Sequence, residues 1–291
     1  MVSAPTRDVV VHVDDLGMSP PANRGGVEAI DGTATCGSVM VPCPAFREMA
    51  GIARDRPELD LGVHLTLNAE YASYRWGPVI GDGAPSLRTA DGGMWQTVQE
   101  TVEHADPDEV ERELRAQVET ALEAGIDVTH LDSHMGTVFD LKFVESYFRL
   151  AREFDLPAFV PRLDRDRLPD ELAAHLSAYL TMIDEHEAAG YVVFDHFDSD
   201  SLQFTPGTGL AHNTARIDGL GDGLSYLITH CATGGEELSS ITHDWRQREE
   251  ERRIYTDGSM ASVLEAAGCR AIGMRELRDA QREGRDRGDG G

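Results

Sequence analysis

Short apolar runs rich in β-branched residues alternate with segments of helical periodicity along almost the whole chain. About eight runs are predicted as strands, at residues 8–13, 35–41, 59–67, 128–131, 157–160, 191–194, 224–229 and 271–274. Helices are predicted between them, at residues 23–30, 45–54, 107–124, 143–154, 169–188, 243–256, 261–267 and 276–283. This alternation indicates an α/β fold with a parallel sheet. Eight such units favour a closed (β/α) barrel, and no GxGxxG motif follows the first strand to suggest a dinucleotide-binding sheet.

Two long stretches that are rich in turn residues interrupt this alternation. Residues 68–97 contain glycine, proline, tyrosine and tryptophan, and a loop of this length is usually functional, often as a lid or a binding surface. Residues 196–222 form the second turn-rich stretch. After the first loop, Asp106 is predicted as an N-cap, Pro107 as the first helical residue and Glu109 as the partner that completes a capping box.

The chain is strongly acidic, because 52 Asp and Glu residues face 26 Lys and Arg residues and the formal net charge is −26. A general phosphate-backbone binder needs a basic surface, so nucleic acid is excluded as a partner, and an anionic membrane would repel the protein. Nearly all basic residues are arginine, since Lys142 is the only lysine. Two explanations of this composition stay open: solubility in high salt, where charge repulsion is screened, or the codon bias of a GC-rich genome.

The composition, 41% hydrophobic and 27% charged, is ordinary for a globular protein. We expect one domain over residues 1–284 and a disordered polar tail over residues 285–291. The first apolar run is too short and too polar for a signal peptide, and no run approaches the ~20 apolar residues of a membrane span. The four cysteines are scattered and form no CxxC pair, which is typical of reduced proteins, so we expect a cytoplasmic location.

Polar side chains that can carry chemistry follow four of the predicted strands, at their carboxyl ends. These clusters are Asp14–Asp15, His64, Asp132–His134 and His230. In a barrel the carboxyl ends of the strands share one rim, where active sites lie. Two histidines and a carboxylate commonly bind a divalent metal, a second carboxylate can act as a general base, and a further histidine can protonate a leaving group.

Each cluster taken alone also has a structural explanation. The Asp14–Asp15 pair could cap a turn, and His64 could be a histidine buried in an apolar strand. His130 shares a strand face with His134 and could be a ligand or simply buried, while Asp132 on that face could orient a ligand histidine. Four such clusters at corresponding places of a repeated unit are a much stronger signal than any one of them.

A series of motifs covers roughly residues 8–275. They lie at residues 11–17, 35–41, 61–66, 113–117, 129–134, 161–162, 227–230 and 244–248. In combination these motifs resemble those of the YdjC/ChbG/HpnK-type carbohydrate deacetylases. The resemblance implies a single-domain, distorted (β/α) TIM-like barrel of the polysaccharide-deacetylase type. It also implies an enzyme that hydrolyses the acetamido group of a small N-acetylated sugar or oligosaccharide, giving acetate and a free amine.

The resemblance also assigns roles to the polar clusters. It implies that Asp15, His64 and His134 hold a divalent metal ion, Mg²⁺ or Zn²⁺, that Asp14 is the general base and that His230 is the acid that protonates the leaving amine. One carboxylate with two imidazoles is compatible with zinc and less typical of magnesium, which prefers oxygen ligands. A homodimer is an assembly that such enzymes commonly form.

Substrate-binding residues are expected at a strand end and in the long loop. Arg162 could bind the substrate or orient the base, or could form a surface ion pair. Trp76 and Tyr74, with Tyr71 and Trp95, could stack on sugar faces or form a small core of the loop itself.

The chain departs from the family at residues 12–13, where smaller residues are usual, and at residues 135–137, where many members have further histidines. The groove beside the metal is therefore expected to differ, and a chitin disaccharide is not assumed as substrate. Two other functions remain open: a hydrolase acting on another amide or ester, and a non-catalytic carbohydrate-binding protein.

Overall fold

The structure, a computed structural model, describes residues 7–163 and 176–288. Within them seven strands form one sheet in which every pairing is parallel, with the order β4-β3-β2-β1-β6-β5 and with β7 paired to β1. The strands are β1 (Arg7–Leu16), β2 (Cys36–Val39), β3 (Leu61–Leu65), β4 (Val128–Ser133), β5 (His196–Asp198), β6 (Gly223–Thr229) and β7 (Cys269–Ala271). The predicted α/β fold with a parallel sheet is confirmed.

Two isolated bridges join the outer strands of this sheet. Leu131 in β4 pairs in parallel with Ala158, and Pro161 pairs in parallel with Phe194, two residues before β5 begins. The path of backbone pairing therefore returns from β4 through β5 and β6 to β1, as in a distorted barrel. The runs predicted as strands at residues 157–160 and 191–194 form isolated bridges and not continuous strands.

Helices surround the sheet and connect its strands. They are α1 (Pro20–Gly32), α2 (Phe46–Asp55), α3 (Val98–His104), α4 (Pro107–Glu123), α5 (Val144–Glu153), α6 (Ser177–Ala188), α7 (Gly209–Asp218), α8 (Glu236–Ile241), α9 (Trp245–Thr256), α10 (Ser259–Ala266) and α11 (Met274–Gly288). None of those in the described ranges is long and apolar enough to cross a membrane. Residues 169–175 of one predicted helix and residues 289–291 of the predicted tail lie outside the described residues.

Regular elements also occur in the second turn-rich stretch and near the end of the described residues. The stretch at residues 196–222 contains β5 and α7, and α7 packs against α9 and α10. The last helix continues to Gly288, four residues past the expected domain end at residue 284.

The start of α4 ties this helix to the long loop. The Asp106 side chain accepts hydrogen bonds from the backbone N–H groups of Asp108 and Glu109, as predicted for an N-cap. The carboxylate of Glu109 does not complete a capping box, because it accepts hydrogen bonds from Ser86 N and Oγ in the loop, at 2.8 and 2.6 Å. A capping box is found instead at α3, between Thr97 and Glu100.

Alternation along β1 separates the core outside the sheet from the barrel interior. Val9, Val11 and Val13 pack outwards against α1, α7, α9 and α10, whereas Val10 belongs to an aromatic cluster with Tyr226. A larger apolar layer fills the space between strands β2 to β4 and helices α2, α4 and α5. Because side chains alternate, the inner face of β1 continues from Val10 towards the polar groups at its carboxyl end.

Candidate active site

Both aspartates at the end of β1 reach the same site, although neighbouring strand residues normally point to opposite faces. Asp15 has a φ of 67°, and the register between β1 and β2 shifts between Val13 and Leu16. As a result His64 Nε2 lies 3.7 Å from Asp14 Oδ2 and 3.6 Å from Asp15 Oδ1. A left-handed conformation at a non-glycine residue costs about 1–3 kcal/mol, and such strain concentrates at functional sites.

Asp15, His64 and His134 converge as the candidate metal ligands. One ligand atom from each lies within 4.8 Å of those of the other two, and all three side chains are buried. His134 Nδ1 is 3.3 Å from Asp15 Oδ1, yet this buried oxygen makes no hydrogen bond with any described residue. A buried carboxylate oxygen without a donor is costly unless a cation lies beside it, so these residues fit a divalent metal ion.

Two carboxylates hold the candidate ligand histidines in place. Asp132 Oδ1 lies 3.0 Å from His64 Nδ1, and Ser38 Oγ donates to the other Asp132 oxygen at 2.8 Å. Glu70 Oε2 lies 3.0 Å from His134 Nε2. The orienting role expected for Asp132 is therefore directed at His64. In each ring the other nitrogen is left to face the ligand site.

The two candidate ligand histidines, His64 and His134, have raised pKa values. Burial alone would lower the pKa of His134, but Glu70 and Asp15 outweigh it and raise the pKa to about 10. Burial also opposes the charged form of His64, but the charges of Asp132 and Asp14 raise its pKa. Because a metal binds the neutral imidazole, we expect metal binding to release protons.

A buried arginine completes the charge balance at Asp15. Arg248 in α9 contacts Asp15 Oδ2 at 2.7 Å through Nη1, and its Nε donates to Asp244 Oδ1 at 2.9 Å. Burial would raise the pKa of Asp15, but Arg248 holds it well below its usual range. Sequence analysis included Arg248 in a family motif without assigning it a role, because nothing in the spacing connects α9 with β1.

His230 stands beside Asp14 at the end of β6. Its Nε2 lies 3.8 Å from Asp14 Oδ2, and its Nδ1 lies 2.9 Å from Ser201 Oγ. The Ser201 hydroxyl and the backbone N–H of His230 both donate to the buried carboxylate of Glu251 at 2.8 Å. The Ser201 proton is thereby committed to Glu251, so Ser201 Oγ accepts from His230 Nδ1–H and leaves Nε2 facing Asp14.

Asp14 and His230 line a cavity of about 360 Å³ at the carboxyl end of the barrel. Most of the rest of its wall is apolar, and the aromatic members of this wall are Phe139, Phe159, Phe197 and Tyr226. Two apolar side chains at this cavity, Met135 and Phe197, are 45% and 46% exposed. Flat apolar faces therefore surround the polar groups.

The aromatic residues expected in the long loop pack against its own neighbours. Trp76 is 4% exposed and its Nε1 donates to Asn68 O at 2.7 Å. The Tyr74 hydroxyl donates to Met18 O at 3.0 Å, and both rings belong to a cluster with Met18. The Trp76 ring lies 6.3 Å from the ring of His134. In this conformation the Trp76 ring packs beside the His134 ring and exposes little surface that a sugar could contact.

Arg162 does not lie among these groups. Its partners in the described part of the chain are the carboxylates of Glu187 and Asp195, and its side chain is 40% exposed. Arg162 therefore forms the surface ion pair that sequence analysis left open as an alternative. The arginine that contacts the aspartate pair is Arg248.

Comparisons with known proteins agree with this architecture. A model of the YdjC-like protein family matches residues 8–266. A carbohydrate deacetylase of Brevibacillus brevis is 33% identical over 92% of this chain and 99% of its own length, and one of Thermus thermophilus is 32% identical over 94% and 95%. A crystal structure from Enterococcus faecalis, described as a candidate cellobiose-phosphate cleavage protein, covers 94% of this chain and 99% of its own with a TM-score of 0.75 at 22% identity. The chain belongs to the YdjC-like protein family.

Proposed function

We propose that the protein is a metal-dependent hydrolase that removes the acetyl group from an N-acetylated sugar or oligosaccharide. The convergence of Asp15 Oδ1, which accepts no hydrogen bond from the described residues, with nitrogens of His64 and His134 supports this proposal most strongly. A second carboxylate, Asp14, and a further histidine, His230, line the cavity beside these three residues. The relatives named carbohydrate deacetylases support the same reaction class.

Asp15, His64 and His134 would hold the ion with one carboxylate oxygen and two imidazole nitrogens. This set suits zinc and similar transition metals better than magnesium, which prefers oxygen ligands. A divalent ion bound there would polarise the acetyl carbonyl and lower the pKa of the attacking water.

Asp14 acts as the general base. Its Oδ1 is held by His12 Nδ1 at 2.7 Å, so the carboxylate cannot turn freely. Its Oδ2 faces His64 and His230, at 3.7 and 3.8 Å, and is the oxygen available to accept a proton from the attacking water.

His230 acts as the general acid. Its Nδ1–H donates to Ser201, so the proton added on ionisation of the ring lies on Nε2, which faces Asp14 in the cavity. From that position Nε2–H donates to the sugar nitrogen as the C–N bond breaks, giving the free amine. The base and the acid are therefore separate groups on one face of the cavity.

The aromatic wall of the cavity suits the substrate. Phe197 is 46% exposed at the cavity and provides its accessible aromatic face, and its ring lies 5.7 Å from the ring of the buried Phe159. Flat apolar faces of this kind pack against the C–H face of a sugar ring or against an acetyl methyl group.

Acetate release from a panel of N-acetylated monosaccharides and oligosaccharides tests the proposal. The protein would first be freed of metal with EDTA and then assayed alone, with Zn²⁺ and with Mg²⁺. We expect release only when a divalent metal is added. Release that persists in the metal-free protein would contradict the metal-dependent mechanism. If the protein binds metal but releases acetate from no sugar, a hydrolase that acts on a different amide or ester would be favoured. If it binds a sugar without hydrolysing it, a non-catalytic carbohydrate-binding protein would be favoured.

A further inference from the structure

A buried carboxylate on α9 lies directly behind His230. Glu251 has no exposed surface, and both of its carboxylate oxygens lie 2.8 Å from Ser201 Oγ. Its Oε2 also accepts a hydrogen bond from the backbone N–H of His230 at 2.8 Å. Ser201 is equally buried and lies 2.9 Å from His230 Nδ1. We call Ser201 and Glu251 the acid support, because together they hold both the backbone and the ring of His230.

A buried arginine on α7 balances the charge of this carboxylate. Arg216 Nη1 lies 3.7 Å from Glu251 Oε1, and Arg216 Nε donates to Asp198 Oδ1 at 2.6 Å. Its Nη2 donates to the backbone oxygen of Ile228, two residues before His230, at 2.6 Å. The same guanidinium therefore compensates the carboxylate and fixes the last turn of chain that leads to the histidine.

One face of α9 serves both halves of the candidate site. Arg248 and Glu251 are three residues apart in this helix, so their side chains leave it on the same side. Arg248 contacts Asp15, one of the candidate metal ligands, whereas Glu251 contacts Ser201 and His230. The helix thus places a cation at the metal ligands and an anion behind the candidate acid.

The acid support decides which nitrogen of His230 exchanges a proton. The nitrogen that carries the proton in a neutral imidazole is set by the hydrogen bond that the other nitrogen makes. Because Ser201 donates its only proton to Glu251, its oxygen accepts from His230 Nδ1–H in both charge states of the ring. Only Nε2, which faces the cavity, is then left to gain or lose a proton.

We propose that Ser201 and Glu251 are positioning residues that fix the orientation and the tautomer of His230 for protonation of the leaving amine. The proposal rests on the proposed role of His230 as the general acid. Neither residue of the acid support lines the cavity, so both act through His230. The proposed function places the acid, and this inference says what keeps the acid productive.

The proton step closes at His230. The Nε2 proton of the imidazolium passes to the sugar nitrogen, which keeps the electron pair of the breaking C–N bond. The ring is left neutral, with its remaining proton on Nδ1 and donated to Ser201. The acid support neither gains nor loses a proton, and a proton from solvent restores the imidazolium when the cavity empties.

This role predicts a dependence on the leaving group. An amine leaves only when its nitrogen is protonated, whereas 4-nitrophenolate leaves as an anion and needs no acid. Loss of the acid support should therefore slow the release of acetate from an N-acetylated sugar far more than its release from 4-nitrophenyl acetate. A general loss of structure or of bound metal would slow both reactions alike.

A matched pair of variants at Ser201 tests the proposal with Zn²⁺ at saturation. For the best sugar of the panel, we expect Ser201→Ala to lower kcat about 10–100-fold, part of what a general acid contributes, with little change in KM or bound zinc. For 4-nitrophenyl acetate kcat should stay within about twofold. Ser201→Thr keeps the hydroxyl and should restore turnover of the sugar. Equal losses on both substrates, or an undiminished kcat on the sugar, would overturn the proposal.

Glu251→Gln tests the other residue of the acid support. The amide keeps an oxygen for the His230 N–H but donates to Ser201, so the hydroxyl turns its proton towards His230 Nδ1. We expect the same selective loss on the sugar. The control is Glu250→Gln in the same helix, since Glu250 accepts hydrogen bonds from loop N–H groups and does not contact His230. A selective loss of equal size in the control would overturn the proposal.

Imidazole ¹⁵N spectra of the zinc-loaded protein separate this inference from the proposed function. The signals of His230 are identified by their absence in His230→Gln. At a pH where the ring is neutral, we expect its proton on Nδ1 in the natural protein and on Nε2 in Glu251→Gln. The same tautomer in both proteins would overturn the proposal even if acetate is released. The expected change in a protein that hydrolyses no sugar would support the positioning of His230 and count against the deacetylase.

Discussion

The two walls of the barrel are built differently. From β1 to β4 neighbouring strands are paired in parallel along one continuous sheet, with register shifts between Val13 and Leu16 and between Leu61 and Val63. All three candidate metal ligands project from this regular wall or directly follow it. Among the described residues between position 158 and the end of β5, the wall consists of isolated bridges and a strand of three residues, and it supplies aromatic side chains to the cavity. The regular wall can fix ligand atoms in place, whereas the irregular wall mainly shapes the space in front of them.

The largest effect on stability is expected at Arg248, whose guanidinium balances the charge of the Asp15 carboxylate on the regular wall. Arg248→Met leaves a buried carboxylate without its partner, and we expect a loss of about 3–5 kcal/mol in the free energy of unfolding without metal. Zn²⁺ should recover part of this loss, because the ion takes over the charge of Asp15. Urea denaturation with and without Zn²⁺ measures both.

The matched control is Arg253→Met in the same helix, where the side chain is 60% exposed and its partner is Glu250. This variant should change the free energy of unfolding by less than about 0.5 kcal/mol. Similar losses in both variants would contradict a special role for Arg248.

The next largest effect is a pH-dependent change in the free energy of unfolding, caused by His186 in α6 on the irregular side of the barrel. His186 is buried, and neither ring nitrogen has a hydrogen-bond partner among the described residues. Burial, with a smaller effect of Arg152, lowers its pKa from 6.5 to about 4. In the unfolded chain His186 is therefore protonated below about pH 6.5, whereas in the folded chain it is protonated only below about pH 4. The free energy of unfolding of the natural protein therefore decreases as the pH falls through this range.

His186→Leu should remove that contribution and gain up to about 3 kcal/mol relative to the natural protein at pH 4. Denaturation curves at pH 7 and pH 4.5 measure the difference. An identical pH dependence in both proteins would show that His186 does not titrate as expected.

A smaller effect is expected from Asp132→Asn, which weakens the group that orients His64 on the regular wall. Loss of such an outer carboxylate typically lowers metal affinity about 10–100-fold. Calorimetric titration with Zn²⁺ measures the change. An unchanged affinity would mean that Ser38, which also contacts His64 Nδ1 at 3.0 Å, is sufficient to hold the ring.

The smallest effect is expected at Arg162. Because its carboxylate partners are at the surface, Arg162→Gln should cost less than about 1 kcal/mol and leave KM for the best sugar of the panel within about twofold. A tenfold rise in KM would show that Arg162 contacts the substrate and that the substrate site extends along the irregular wall.

Sequence reasoning could locate the groups whose positions follow from strand ends. Asp15, His64 and His134 lie together because the carboxyl ends of parallel strands meet, and that rule needs no knowledge of the helices. It could not find Arg248, because its contact with Asp15 depends on how α9 packs over the barrel. Glu70 was missed for a similar reason, since a loop residue carries no periodicity that would point it at His134.

The partners inside the barrel were also beyond sequence reasoning. Strand alternation placed His130 on the same face as His134, but its contact with His12 depends on the closure of the barrel between β1 and β4. Phe159 and Tyr226 come from runs that were predicted as strands and Phe197 from the second turn-rich stretch, and nothing in their spacing along the chain indicates that they share one cavity.

The most direct test of the account compares Asp14→Asn with His64→Ala, measuring bound Zn²⁺ and acetate release in each. Asp14→Asn should keep one bound ion and lose turnover by several orders of magnitude, because it removes the base and leaves the three ligands. His64→Ala should lose the ion and the activity together. Undiminished turnover in Asp14→Asn, or full zinc occupancy in His64→Ala, would contradict the proposed site.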